Sequence, residues 1–345
     1  MNAKEKIAQP VLVTGATGFI GRRVVHKLLE KGINLKVLAL PNEAIPTEWT
    51  DKVEVVQGSI SDPRNVEEAA SGAKTIIHLV AIVTDWGDEK KYWEVTVEGS
   101  RRIFEQAVQN RARVVLASSI AVYGDYIHSQ SCLEDTPYGK TLGPYSRTKQ
   151  AQEKLAWEYF KNKSMKLSVV RPANVYGPGS GPWLHDVIDV LQSGSPGLIS
   201  GGEMNAGLAY VDNVADVLIL AGSTERAIGR VYNACDGLDV TWKQYFTDIA
   251  HMIGVDNPKS LPAPLAAVGA YLMEGVYKLF GIQKRPLITR EALNLVGSDN
   301  RIPNDRIKNE LGCTPQVSYA EGLERIREYI DQNRGNGVKG HGLLY

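Results

Sequence analysis

The chain has 345 residues, 43% hydrophobic and 23% charged, the composition of an ordinary soluble globular protein with length for about two domains. Lysine plus arginine equals aspartate plus glutamate at 39 each, so no basic excess marks a nucleic-acid or anionic-membrane footprint. Cys132, Cys235 and Cys313, odd in number and widely spaced, exclude a disulfide framework and a cysteine metal set, so no metal is expected and a reducing compartment is.

The first ten residues lack the apolar core of a signal peptide, and no later run reaches the roughly 18 apolar residues of a membrane span, so a cytoplasmic protein is expected. Pro10 to Thr14 is a short apolar run, followed by Gly15-Ala16-Thr17-Gly18-Phe19-Ile20-Gly21 and then the helical pattern Val24, Val25, Leu28, Leu29. Strand, glycine turn and helix in this order predict a dinucleotide site: glycines let the backbone approach a pyrophosphate, and the helix N-terminus offers it N–H groups and partial positive charge. A second strand, Leu35 to Leu40, ends in Ala39-Leu40-Pro41-Asn42. Neither an acid for a ribose 2′-hydroxyl nor an arginine for a 2′-phosphate stands there, so NAD and NADP are not distinguished. Arg22 and Arg23 read as a solvated helix face.

Val53 to Ile60 and Thr75 to Ala81 read as strands, with a helix from Arg64 to Ala70 between them. This alternation predicts an α/β fold with a doubly wound parallel sheet. His78, inside an apolar strand, reads as a packed, hydrogen-bonded histidine. A helix from about Tyr92 to Gln109 leads to the strand Arg113 to Ser118, which puts Ser118 and Ser119 at the carboxyl end of a sheet strand, the edge where open α/β sheets bind ligands. The helix Tyr145 to Lys161 follows. Tyr145 and Lys149, four apart, share one helix face. An ammonium beside a phenol favours phenolate and brings a group with an ordinary pKa of about 10 towards acid/base duty. A hydroxyl such as Ser119 then binds the substrate oxygen.

Beyond Arg171 the chain turns rich in glycine and proline, as for loops and a smaller domain. Tyr210 to Asp216 begins a helix with Asp212 or Asn213 able to cap it, and Val231 to Cys235 is a short strand able to rejoin the sheet. Leu261 to Ile282 is apolar and nearly uncharged. It reads first as a buried helix of a substrate domain, and second as a surface helix that lines a greasy pocket or touches a membrane. Residues 332–345 read as a flexible tail.

Thr14-Gly15-x-x-Gly18-x-x-Gly21, Ser119 before Val122-Tyr123-Gly124, Tyr145-x-x-x-Lys149 and Arg171-Pro172-Ala173-Asn174-Val175-Tyr176-Gly177 occur in this order. In them residues 10–330 closely resemble the extended short-chain dehydrogenase/reductase family. The resemblance implies a Rossmann-type nucleotide domain (residues 1–175 plus about 206–235), a discontinuous substrate domain (176–205 plus 236–331), NAD or NADP, and a homodimer through the helices starting at Tyr92 and Tyr145. It implies that Tyr145 is the acid/base, that Lys149 lowers its pKa and holds the nicotinamide ribose, and that Ser119 binds the substrate oxygen. The cofactor is then expected along Gly15, Thr17, Gly18, Phe19, Ile20 and Gly21, near Ser59 and Ile60, near Leu79, Val80 and Ala81, and near Pro172, Asn174 and Val175. Ser59 replaces the family's usual aspartate near adenine, and Thr96 its usual asparagine.

Within the family, dehydratases carry an Asp-Glu pair after the catalytic hydroxyl residue, where this chain has Ile120-Ala121. Epimerases usually carry a diphosphate-binding arginine where this chain has Ala206. Ile82 to Gly87, Val211-Asp212-Asn213-Val214 and Arg285-Pro286-Leu287-Ile288-Thr289 resemble the 3β-hydroxysteroid dehydrogenase branch. The expected function is therefore interconversion of a secondary alcohol and a ketone on a largely apolar small molecule. The alternatives are a nucleotide-sugar 4-epimerase and a non-catalytic NAD(P)-binding protein.

Overall fold

The computed structural model describes residues 6–333, so the tail from residue 334 on lies outside the described residues, and residues 332–333 end the last helix. The first half alternates strands and helices: β1 (Val11–Thr14), α1 (Phe19–Glu30), β2 (Leu35–Ala39), β3 (Val53–Gln57), α2 (Pro63–Ala70) and β4 (Thr75–His78). Next come α3 (Glu89–Tyr92), a wide turn over Trp93–Glu98, α4 (Gly99–Asn110), β5 (Arg113–Ala117), α5 (Tyr126–Ser129), α6 (Pro144–Lys163) and β6 (Lys166–Pro172). The second half holds β7 (Asn174–Tyr176), α7 (Asp186–Ser193), β8 (Leu198–Ile199), β9 (Leu208–Tyr210), α8 (Val211–Ser223), β10 (Arg230–Ala234), α9 (Trp242–Ile253) and β11 (Ser260–Leu261). It closes with α10 (Ala263–Leu279), α11 (Arg290–Val296), α12 (Asp305–Leu311) and α13 (Tyr319–Asn333).

Seven strands form one parallel sheet in the order β10-β6-β5-β4-β1-β2-β3. β1, β4 and β5 bury every residue, as strands covered on both faces must. The strand order reverses between β1 and β4, where Thr14 lies beside His78, so the crevice at the switch point opens just beyond those residues. β5 ends one strand away, delivering Ser118 and Ser119 to the same edge.

Two local expectations change. α8 begins at Val211, so Asp212 and Asn213 sit inside its first turn and cap nothing. Asp212 instead pairs with Arg23 and Arg325, and Asn213 accepts from the Gln316 and Val317 amides, tying α8 to α1 and to the C-terminal segment. α10 was expected first as a buried helix, yet it buries only Ala266, Ala270 and Glu274 and turns its large apolar side chains outward.

Candidate functional site

The glycine turn is built for close backbone approach. Gly15 has φ +68°, and a Cβ there would meet the Leu79–Val80 backbone at 3.3 Å; a Cβ on Gly21 would lie 2.0 Å from the Gly15 carbonyl oxygen. Gly18 caps α1 without any side-chain acceptor, leaving the first amides of that helix for an anion. These features fit the diphosphate of a dinucleotide, with Thr17, Phe19 and Ile20 around it. Thr17 Oγ1 donates to Glu43 (2.7 Å), whose carboxylate also accepts from Leu40 N (3.0 Å). The acid missing from Ala39 to Asn42 stands one residue on, where the turn after β2 folds Glu43 back onto Thr17. Arg22 Nε donates to Thr17 O (2.8 Å), so it braces the loop and is more than a solvated surface charge.

Ser59 and Ile60 follow β3; the Ser59 hydroxyl accepts from Ser61 N (3.1 Å), and Ile60 packs against Gly99. Leu79, Val80 and Ala81 continue β4 past the switch point, with Leu79 N on Thr14 O (3.2 Å). Pro172, Asn174 and Val175 are buried beyond β6, where Asn174 spends its amide on Ala206 O (2.7 Å). Asn174 Nδ2 therefore shapes the backbone there.

Ser119 leaves β5 with its hydroxyl accepting from Ala121 N (3.1 Å) and standing near enough to the Tyr145 phenol to favour its ionised form. Burial pushes the Tyr145 pKa up to about 12, and the nearby Ser119 hydroxyl opposes that rise. Lys149, one turn along α6, donates to Ala117 O (2.8 Å) and Gln152 Oε1 (2.9 Å). Burial pulls its pKa down to about 7, opposed by the Glu153 charge. In this geometry the Lys149 amine turns towards β5, held by the Ala117 carbonyl and Gln152.

Behind Lys149 runs a continuous polar chain. Gln152 Nε2 donates to Ser100 Oγ (2.8 Å), Ser100 bonds His78 Nε2 (2.8 Å), and His78 Nδ1 bonds Thr14 Oγ1 (2.7 Å). Burial drives His78 down to about 3, so it is neutral and structural, as its strand position implied. Thr96, in the wide turn before α4, accepts from Ile82 N (3.2 Å) and receives the Ser100 hydroxyl on its carbonyl. Gln152 went unnoticed in the sequence although it is seven residues after Tyr145, on the same helix face. A second buried group lies alongside: Glu153 takes Ser118, Tyr138 and the Arg171 guanidinium.

The far side of the site comes from the C-terminal half. Glu291 of α11 reaches the first turn of α6, where its Oε1 accepts from Ser146 N at 2.6 Å. Gly143, the residue before α6, brings no cap of its own; a Cβ there would sit 1.9 Å from Glu291 Oε2. Oε2 is buried without a hydrogen-bond partner among the described residues, and burial raises the Glu291 pKa to about 8. The Glu291 charge in turn pushes Tyr145 up. The sequence signal for such a partner was Gly143-Pro144 itself, a helix start with no side chain to cap it.

A cavity of about 280 Å³ opens beside this first turn, between Asp85–Glu89, Leu142–Arg147 and Glu274–Arg290. Its wall is not the greasy surface expected from Leu261 to Ile282, because that helix sends Glu274, Tyr277 and Lys278 inward. The cavity charges are engaged: Arg147 with Glu89, Arg290 with Glu274, and Lys278 over the Trp86 ring. Two clasps close the cover: Asp85 holds Arg285 and Thr289, and Trp86 Nε1 donates to Ile282 O (2.9 Å).

Residues 11–235 match the NAD dependent epimerase/dehydratase family. The chain belongs to this family. Among curated relatives, it is 24% identical to the 4-hydroxy-2-methyl-3-oxo-4-farnesyl-3,4-dihydroquinoline-1-oxide ketoreductase of Stigmatella aurantiaca, over 92% of this chain and 95% of that one. It is 24% identical to the decarboxylating sterol-4-alpha-carboxylate 3-dehydrogenase of Dictyostelium discoideum, over 92% and 99%. Among solved structures, the dTDP-glucose 4,6-dehydratase DesIV of Streptomyces venezuelae, with NAD bound, shares the fold at TM-score 0.75 and 24% identity, over 94% of this chain and 98% of that one. Two positions expected to carry sugar-nucleotide chemistry can be placed in this member of the epimerase/dehydratase family. Ile120 and Ala121 are buried and carry no transferable proton, and Ala206 is wholly buried with its carbonyl held by Asn174.

Proposed function

We propose that the protein is an NAD-dependent oxidoreductase that interconverts a secondary alcohol and a ketone on a largely apolar substrate. The observation that carries this reading is the placement of the Ser119 hydroxyl beside the Tyr145 phenol at the carboxyl end of β5, with Lys149 one turn behind. Bound NAD supplies the hydride acceptor, or in its reduced form the donor. Ser119 and Tyr145 hold the substrate oxygen; in reduction Tyr145 gives it a proton, and in oxidation takes one away. In this reading Lys149 holds the nicotinamide ribose, and the Gly15 to Gly21 turn the diphosphate. Glu43 supports NAD over NADP, since a carboxylate at the adenosine end accepts from ribose hydroxyls and repels a 2′-phosphate.

The farnesylated and sterol substrates in the relatives' names support an apolar body. The rival reading, a nucleotide-sugar 4-epimerase, draws on the cavity cations Arg147, Lys278 and Arg290, but two of these already have carboxylate partners. A screen of fused-ring ketones, long-chain β-keto acids and UDP-sugars with NADH and NADPH tests the proposal. Oxidation of NADH by an apolar ketone is the expected result. Epimerisation of a UDP-sugar with no ketone turnover would overturn it.

A further inference from the structure

Nine of the twelve large hydrophobic side chains that stand exposed among the described residues lie between Leu265 and Leu287. A surface helix of a globular protein normally turns its apolar stripe inward and its charges outward. α10 does the reverse. At about 3.6 residues per turn, the buried Ala266, Ala270 and Glu274 define one face, and Leu265, Val268, Leu272, Val276 and Leu279 lie on the opposite one. The acid of this helix points inward, where it pairs with Arg290. Leu272 is 64% exposed, Leu279 79% and the following Phe280 72%. So large a contiguous apolar face marks an interaction surface.

The charges around it indicate the occupant. Between residues 262 and 289 every exposed charged side chain is a cation: Lys284, Lys278 at the edge of the cavity over the Trp86 ring, and Arg285, whose charge is met by Asp85. Lys278 and Lys284, which have no carboxylate partner among the described residues, thus place positive charge beside this apolar face of a chain with no net charge overall. Two copies meeting face to face would set these cations against each other, whereas an anionic lipid surface would take both the leucines and the lysines. No helix among the described residues is long and apolar enough to cross a membrane, which leaves attachment in the plane of the headgroups. The cavity lies on the other side of the same helix: Glu274, Tyr277 and Lys278 face it, and Gly281 to Gln283 form its rim.

We propose that the outward face of α10 docks on an anionic lipid surface, lying in the headgroup layer with the cavity rim beside it. The docking is a binding event that needs no turnover, so its test stands apart from that of the reaction. The full chain is sedimented with vesicles of phosphatidylglycerol mixed with phosphatidylcholine, and with vesicles of phosphatidylcholine alone. Pelleting with the mixed vesicles, weakened by added salt, is expected. The Leu272→Asp/Leu279→Asp variant should lose it by about tenfold or more, since both side chains already face solvent and neither supports the core. Lys284→Glu should weaken binding to the mixed vesicles and leave the phosphatidylcholine result unchanged. Wild type that stays in the supernatant with both vesicles overturns the proposal. So does self-association without vesicle binding, abolished by the aspartates, which would assign the face to a second copy.

Discussion

The floor of the site and its cover are built on opposite terms. The floor, from Thr14 through His78, Ser100 and Gln152 to Lys149, is a buried polar chain in which each group meets the next within 2.7 to 2.9 Å. The cover, made of the loop at Asp85 and helices α10 and α11, leaves one Glu291 oxygen without a partner among the described residues and exposes its apolar face. A fully paired network in a low dielectric is rigid and suits chemistry that needs fixed geometry. A cover held by a few clasps over a charged cavity suits a part that admits a substrate. Damage to the floor should therefore cost orders of magnitude or the fold itself, and damage to the cover should tune pH response and affinity.

The largest effect is expected at the meeting point of the two. Tyr145→Phe removes the transferable proton and little volume, so kcat should fall by about 10²–10⁴ while NAD binding measured by calorimetry stays near wild type. A variant keeping more than about a tenth of the rate would contradict the acid/base role. Next comes the floor's ion pair: Arg171→Leu leaves Glu153 charged and buried, which should destabilise by about 3–5 kcal/mol in urea unfolding. The matching test on the cover, Arg285→Leu at the more exposed Asp85 pair, should cost about 1 kcal/mol or less. Equal losses would erase the distinction between floor and cover.

Gly143→Ala pushes a methyl into the place of Glu291 Oε2 and should cost about 1–3 kcal/mol, and it should share its kinetic effect with Glu291→Ala. Glu291→Gln sharpens the same contact through pH. The folded-state pKa is raised from 4.5 to about 8, so the stability this group contributes is fully present below pH 4.5 and lost as pH rises through about 8. Melting temperatures should then show wild type losing ground to the variant across that window, and the alkaline rise of alcohol oxidation should move to lower pH once the charge beside Tyr145 is gone. An unchanged rate profile would leave Glu291 a helix cap only. Smallest of all, Glu43→Gln should improve kcat/KM for NADP relative to NAD by about tenfold, equal to roughly 1.4 kcal/mol.

What was legible in the sequence was whatever repeats with a local period. The glycine turn, the alternation of strand and helix and the Tyr145–Lys149 face all announce themselves within a few residues. So did the placement of Ser119, through the end of β5. Glu43 and Glu291 were not legible, because each owes its place to a chain reversal or a contact over a hundred residues away. α10 was misjudged for a different reason. A stretch that is apolar and nearly uncharged throughout carries no direction; only the spacing of Ala266, Ala270 and Glu274 by four marks the face that turns inward.

The most direct test of the account follows the hydride. With NADH deuterated at C4 and an apolar ketone accepted in the screen, mass spectrometry of the alcohol should find deuterium on the carbinol carbon, in an amount matching the NADH consumed, with Tyr145→Phe giving almost none. Product alcohol without the label, or label that returns to the cofactor while a sugar epimer accumulates, would contradict alcohol–ketone interconversion at Ser119 and Tyr145.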